Sequence, residues 1–579
     1  MIFEPTFINS QIPLVEYPRP QLKRDSYLSL NGEWDYCICK KGEFNGKLDG
    51  KILVPYCPEC QLSGVNRQLQ KDEELHYFRT FSLPENFLKD RLILNVGACD
   101  QITEVYLNGN LVGKNYGGYL AFSFDLTPYL KEGENQLHFI VIDDADTEIY
   151  ARGKQKYKRG GIWYTATSGI WQSVWLESVH DNFIRSLKIL PDYDNKCLSI
   201  TAFSDFEQEV KITVFGDDSA PLKAVIGKTN TAVKIPVPEC KPWSPDSPEL
   251  YPITVKTEND EVESYFGLRT FSTAKIGGKV YPTLNNKPIF HNGLLDQGYF
   301  HDGLYTPKDN HTMFEQVKAV KDMGFNMLRK HIKIEPQLWY YYCDVLGVLV
   351  WQDMINGGAK YKARRIVLAP FINLHLNDTN YKSMGRSLES RNQYYVEAEG
   401  LIEQLYNCVS LCVYTPFNEC WGQFDALKTC DWVKSLDSSR LIDHASGWQD
   451  MGGGDFCSRH IYFRKAKPKN DKKRILALTE FGGYSFAVEN HVFSNKKFGY
   501  KKYKDSSSLY SAYESLYYDQ VLPLIENEGL SATVYTQLTD VEDEINGLFT
   551  FDGVLKLPKE KVYAINQAVY KKFDECVQK

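Results

Sequence analysis

Over the first third of the chain, apolar residues come in short runs separated by turn residues. Arg91–Val96, Glu104–Leu107 and Gln136–Ile142 are such runs, and Asn108-Gly109 follows the second. An Asn-Gly pair next to apolar segments is a strong hairpin signal. Residues 1–182 are therefore expected to form an all-β sandwich of jelly-roll type. Further runs follow at Ile184–Leu190, Val210–Val214, Ala232–Val237 and Ile253–Val255. Some seven such strands in about ninety residues suggest an immunoglobulin-like sandwich over residues 183–274. The proline-rich stretch Lys241–Pro248 reads as a rigid loop.

From residue 275 the pattern changes, and apolar strands alternate with amphipathic stretches. Eight candidate strands run Pro288–Leu294, Phe325–Lys330, Val348–Gln352, Ser410–Pro416, Arg440–Ala445, Ser458–Phe463, Arg474–Glu480 and Thr533–Leu538. Helical periodicity marks Asn310–Met323, Gln337–Leu346, Asn392–Asn407, Ser507–Asn527 and Lys559–Phe573. This predicts a C-terminal (β/α)8 barrel over residues 275–579. The whole is a multidomain β plus α/β chain. Ile355–Glu389 lacks periodicity, and a loop that long in a compact fold is expected to be functional.

Charge narrows the partners. Lys and Arg number 67 against 74 Asp and Glu, a net charge of −7, so nucleic acid is not the expected partner. No apolar run is long enough for a spanning helix, so no membrane partner is expected. Met1 opens a segment without a basic start and apolar core, and the fourteen cysteines are scattered. Reduced thiols in a cytoplasm are the corresponding expectation. Tyr outnumbers Phe, 38 to 31. Aromatic rings with a polar tip suit wet clefts and sugar surfaces as well as cores.

One cysteine group raises a metal question. Cys37, Cys39, Cys57 and Cys60 could together offer four thiolates to zinc. Neither pair has the short knuckle of such sites, so no metal is expected there.

In a barrel of this kind the chemistry lies at the C-terminal strand ends. Strand four ends in Asn418-Glu419, followed by Cys420-Trp421-Gly422. Strand seven ends in Thr479-Glu480, followed by Phe481-Gly482-Gly483. Two carboxylates at one rim are what glycoside hydrolysis needs. One protonates the leaving oxygen, and the other attacks the sugar or activates water.

These residues carry a resemblance that runs nearly the whole length. Pro18-Arg-Pro20, Ser29–Trp34, Val105–Gly109, Gly117–Tyr119, Gly161–Trp163, Ser168–Gln172, Asn418-Glu419 and Thr479–Gly483 occur in order. In this order they resemble glycoside hydrolase family 2, the family of β-galactosidases, β-glucuronidases and β-mannosidases. The resemblance implies that Glu419 is the acid/base and Glu480 the nucleophile of a retaining reaction. It implies that Asn418 bonds the sugar 2-hydroxyl. It also implies rim roles for Arg329 and His331, for Tyr462 on the nucleophile, and for Tyr535 as a platform under the sugar. His460, Asp296 and Trp421 complete the expected substrate-binding set. No cofactor is implied.

The sequence departs from the family at Asn407-Cys408-Val409, where Asn-His-Pro is common. It also departs at Asn546-Gly547-Leu548, where a glucuronidase carries Asn-x-Lys. A missing Lys weakens a uronic-acid substrate, unless the basic stretch Lys360–Arg365 restores the charge. The expected protein is an exo-acting β-glycosidase on a carbohydrate substrate, with β-galactosidase the leading specificity. β-Glucuronidase, β-mannosidase and arabinosidase are the alternatives within the family. A non-catalytic carbohydrate-binding protein is the alternative from another class. The front domains are expected to shape the cleft or an oligomer interface, so a homo-oligomer belongs to the expectations.

Overall fold

The computed structural model describes residues 5–216, 219–359 and 376–578. Two antiparallel sheets form the front of the molecule. One has four strands: Tyr27–Ser29, Val174–Val179, Arg91–Val96 and Phe122–Asp125. The other has six, in the order Gly50–Val54, Gly32–Lys40, Glu73–Phe81, Asn135–Ile142, Ile102–Leu107 and Asn110–Tyr116. Alternate residues of both sheets meet in one core, among them Trp34, Tyr77, Leu94, Phe139 and Leu176. The alternation is the one the sequence shows, apolar in and polar out. Residues 186–266 form a second pair of sheets, of three and four strands, around Ile189, Ile200, Ile212 and Val255.

The C-terminal half is built on eight parallel strands: β1 His291–Asp296, β2 Met327–Lys330, β3 Leu349–Asp353, β4 Leu411–Thr415, β5 Leu441–Ile442, β6 Phe456–Ile461, β7 Ile475–Gly482 and β8 Leu530–Thr536. Their pairing runs β6-β7-β8-β1-β2-β3-β4-β5. Between β5 and β6 no ladder forms among the described residues. Asp455 N donates to Ile442 O at 2.8 Å there, and Ser458 Oγ to Asp443 Oδ1 at 2.8 Å, so the sheet curls into a nearly closed barrel.

Most of these strands are buried on both faces, which is why stretches such as Val348–Trp351, Leu411–Tyr414 and Ile475–Leu478 read as apolar runs. Met327, Trp351, Val413, Ala477 and Val534 fill the interior. Leu294, Leu328, Val350 and Leu478 face outward, onto helices that supply Met313, Trp339, Leu401 and Tyr513.

All eight expected strands appear, offset by a few residues. The expected helix Ser507–Asn527 is present as Ser506–Leu516, a π-turn Tyr517–Val521 and Leu522–Glu528. Helix Ala426–Leu436 was not expected. The junction placed after residue 274 falls inside strand Phe271–Ile276. That strand pairs with Lys279–Leu284, and Val280 pairs with Ile475 of β7, so it belongs to the barrel side. The stretch Lys360–Arg365 and the middle of the expected functional loop, residues 360–375, lie outside the described residues, while the described end of that loop carries a short helix, Tyr381–Met384. The four cysteines do not gather. Cys57 and Cys60 pack with Tyr56 in a small separate apolar cluster, away from Cys37 and Cys39 on strand Gly32–Lys40.

Candidate active site

Strand β4 ends in a tight turn. Glu419 and Cys420 both take left-handed backbone, at φ 49° and 66°, without being glycines. The turn is held by Glu419 N on Ser446 O at 2.8 Å and Trp421 N on Asn418 O at 2.9 Å. It aims the Glu419 carboxyl at the ring of His460, whose Nδ1 lies 2.8 Å from Glu419 Oε1. The same Nδ1 lies 3.5 Å from Glu480 Oε2. Ligand atoms of Glu419, His460 and Glu480 all lie within 4.8 Å of one another. Such a trio could hold a cation, but a cation there would occupy both carboxylates.

Glu480 is gripped from two sides. The Tyr462 hydroxyl donates to its Oε2, and Arg329 Nη1 donates to its Oε1 at 3.3 Å. Arg329 is fully buried and reaches three further partners. It forms a fork on Asp353, with Nε to Oδ1 at 2.9 Å and Nη2 to Oδ2 at 3.0 Å, and it donates to Asn418 Oδ1 at 2.8 Å and to Thr479 O at 3.0 Å. Such bidentate pairing fixes geometry as well as charge. Asn418 Oδ1 is thereby engaged, while its buried Nδ2 has no hydrogen-bond partner among the described residues. A buried donor left in this state is ready for a ligand acceptor.

The electrostatics follow from burial. Burial pushes the Glu419 carboxyl up to about 7, nearby Glu544 pushes the same way, and Lys154 and Arg329 oppose. Burial also raises Glu480, against the pull of His460, Arg329 and Lys154. His460 is driven down to about 4 by burial, so its ring is neutral near pH 7. Ser446 Oγ donates to Thr479 Oγ1 at 2.8 Å and lies 3.0 Å from His460 Nε2. Its lone pair therefore accepts from Nε2–H, which leaves Nδ1 as an acceptor facing the protonated Glu419. That tautomer follows from the network.

The expected residues divide. Glu419, Glu480, Asn418, Arg329, His460 and Tyr462 come together. His331 joins one step away, with Nδ1 2.7 Å from Asp353 Oδ2. Trp421 follows in the same turn, its ring 5.5 Å from that of Trp163. Asp296 is engaged elsewhere. It accepts Lys330 Nζ at 2.6 Å and Gly298 N at 2.8 Å, within a buried Lys330–Glu335–Lys333 network. Tyr535 departs from its expected place. Its ring turns outward, against Phe481, Tyr484 and Tyr513, because Val534 takes the inward position on β8.

The cluster also holds residues that the sequence pattern does not point to. Asp353 ends β3, and the strand-end rule would have found it had the strand been drawn one residue longer. Tyr500 lies face to face with Tyr462, 3.8 Å between ring centroids and 4° between planes. Trp448 packs edge-on against His460. Lys154 is the least foreseeable, because it comes from the connection between the front strands Asn135–Ile142 and Val174–Val179. Its ammonium lies 5.8 Å from the Trp421 ring and 5.6 Å from the Tyr164 ring, and it acts on Glu419, Glu480, His331 and His460. Gly153 makes this possible. It has φ 60°, and a Cβ there would meet Ile332 O of the barrel at 3.0 Å. Arg152 and Gly153 both donate backbone N–H to Asn356 O, at 3.0 and 3.2 Å, which docks the loop on the rim.

Residues 65–178 match the family model described as glycosyl hydrolases family 2, sugar binding domain, and residues 186–269 match the one described as glycosyl hydrolases family 2. A β-galactosidase of Halalkalibacterium halodurans is 24% identical over 465 residues, covering 76% of this chain and 42% of that protein. A putative β-glucuronidase of Formosa agariphila is 28% identical over 273 residues, covering 44% of this chain and 31% of that protein. The chain thus spans less than half the length of these two relatives. Among solved structures, a β-D-glucuronidase of Dictyoglomus thermophilum superposes with a TM-score of 0.72 at 16% identity, covering 96% of this chain and 98% of that one. A β-galacturonidase of Eisenbergiella tayi gives 0.69 at 18% identity, with 95% and 97% covered.

Proposed function

The chain belongs to glycoside hydrolase family 2, and on that premise we propose that it is an exo-acting, retaining β-glycosidase. The observation that carries this reading is the Glu419–Glu480 pair, with facing oxygens within 4.8 Å. Retaining glycosidases hold their carboxyl groups about 5–5.5 Å apart, too close for an intervening water. In the proposed reaction Glu480, oriented by Tyr462 and Arg329, attacks the anomeric carbon. Glu419 gives its proton to the leaving oxygen. The glycosyl–Glu480 ester forms as the glycosidic bond breaks. Glu419, now ionised, takes a proton from water, which cleaves the ester and frees Glu480. Asn418 Nδ2 is the donor for the sugar 2-hydroxyl.

The same reading covers the fold. The front sheets are read as a jelly-roll sandwich, the second pair of sheets, residues 186–266, as an immunoglobulin-like sandwich, and the chain from strand Phe271–Ile276 onward as a (β/α)8 barrel. The cysteines form no disulfide among the described residues, and none of the described helices is long and apolar enough to cross a membrane.

For the sugar, charge decides. Among the described residues, the cations acting on Glu419 and Glu480 are Arg329, which also pairs with Asp353, and Lys154. Arg329 is engaged by Asp353, and Lys154 offsets Glu480. A uronate would need a surplus cation to offset its desolvation. A neutral sugar is therefore proposed, β-galactoside first. The second reading, a β-uronide, is favoured by one observation, the position of Lys154 at the cleft. Aryl β-galactoside, β-glucuronide, β-galacturonide and β-mannoside compared by kcat/KM would decide, with the first-formed anomer followed by NMR. An inverted first product would overturn the mechanism. A uronide preference lost in Lys154→Met would hand sugar recognition to the front loop. Binding without turnover across the panel would leave a carbohydrate-binding protein.

A further inference from the structure

The six-stranded front sheet carries an unusual outer face. In the ladder between Gly32–Lys40 and Glu73–Phe81, Cys37 stands opposite His76 and Cys39 opposite Glu74. In the next ladder Phe78 stands opposite His138. Opposite residues of an antiparallel pair share a face. Ile38, Leu75 and Tyr77 between them point into the core. Cys37, Cys39, Glu74, His76 and His138 therefore share the face turned away from it. Such a face is ordinarily solvated, yet Glu74 is only 8% exposed and His76 only 2%. Phe44, from the turn after the first of these strands, stacks on the His76 ring at 4.3 Å.

Under this cover three different donor atoms converge. Cys39 Sγ lies 3.8 Å from Glu74 Oε1, and His76 Nε2 lies 2.9 Å from the same oxygen. The three atoms are within 4.8 Å of one another. Ligands of a tetrahedral zinc with bonds of about 2.0–2.3 Å lie roughly 3–4 Å apart, so small side-chain shifts suffice. The far ring nitrogen, His76 Nδ1, is 2.8 Å from His138 Nε2. A metal-bound imidazole is ordinarily oriented by such a contact.

We infer that Cys39, Glu74 and His76 form a site for a borderline divalent metal, zinc by its donor set of sulfur, oxygen and nitrogen. His138 is the positioning partner of His76. The fourth position falls to water or to Cys37, whose thiol neighbours that of Cys39. In the metal-free state the Cys39 thiol donates to Glu74. With water in the fourth position, binding breaks that S–H bond, forms the metal–thiolate bond and releases one proton to solvent; with Cys37 there, its S–H bond breaks as well and a second proton leaves. His76 then carries its remaining proton on Nδ1, donated to His138. The metal would staple two neighbouring strands of the front sheet and has no part in the glycosidase chemistry.

The test uses the full chain, stripped with chelator and dialysed against micromolar free zinc. The expected result is about one equivalent retained, as for a single site, with a thiolate-to-metal absorption band when cobalt replaces zinc. Cys39→Ser and His76→Gln should each lose the metal, while Cys57→Ser keeps it. Should those variants fail to fold, the wild-type protein still reports, because bound zinc should shield Cys39 from alkylation. Less than a fifth of an equivalent bound, no thiolate band, equal retention in folded Cys39→Ser, or unshielded Cys39 would each overturn the site.

Discussion

His460 Nδ1 stands 2.8 Å from Glu419 Oε1 and, being neutral, holds the acid's proton in place without taking it. Glu419 sits at about 7 because it is buried, and Lys154 is the first of the charges that hold it down. The basic limb of kcat/KM should therefore turn near pH 7 and report Glu419. Removing a cation beside a carboxyl raises its pKa. Lys154→Met should move that limb to higher pH, read from full pH profiles on an aryl glycoside. A limb that stays put or moves down would separate Lys154 from the acid.

Glu480→Gln should abolish turnover, since a neutral amide cannot form the glycosyl ester. Residual activity above a few per cent of wild type, after exclusion of deamidation by mass spectrometry, would remove Glu480 from the nucleophile role.

Glu419→Ala should discriminate between leaving groups. Acid assistance is worth roughly 10²–10⁴-fold where the aglycone is a poor leaving group. Alkyl glycosides should lose that much and nitrophenyl glycosides far less. Equal losses across a series of leaving-group pKa values would be incompatible with proton donation.

The acid also has a cost to the fold. A carboxyl whose folded pKa is about 7, above an ordinary 4.5, binds its proton more tightly in the native state. Its stabilisation is complete below about pH 4.5 and is lost as pH rises through 7. At about 1.4 kcal/mol per pH unit, the swing is up to about 3 kcal/mol. Glu419→Gln should thus raise Tm relative to wild type at pH 8 and not at pH 4. The reverse order would refute the buried, protonated assignment.

Asp353→Asn removes the charged partner of fully buried Arg329 and the oriented acceptor of His331. Breaking a buried pair from one side costs about 3–5 kcal/mol. Urea unfolding should show that loss, together with lower kcat from a loosened Glu480. Wild-type stability would mean that water or Glu480 takes over the guanidinium.

The legible parts were those written in periodicity and strand ends. The eight strands could be read because short apolar stretches alternate with amphipathic ones, and the meeting of Glu419 and Glu480 because both stand at ends of strands in one curled sheet. Tyr535 could not be placed, since on a strand buried on both faces nothing in the pattern says whether Val534 or Tyr535 points inward. Asp353 was hidden by one residue of strand length. Asp296 looks like a rim acid in sequence, but Lys330 claims it in space. Lys154 lies 265 positions from Glu419 in the chain, and no local rule joins them.

The docking of Gly153 on the barrel rim has an evolutionary side. A fragment holding only residues 275–579 would keep both carboxylates and lose one of the two cations that tune them. The front sheets are therefore not an accessory that could be shed freely. They offer a handle by which substitutions in a sandwich loop, far from the barrel in sequence, could retune acidity or substrate choice while every barrel residue stays unchanged.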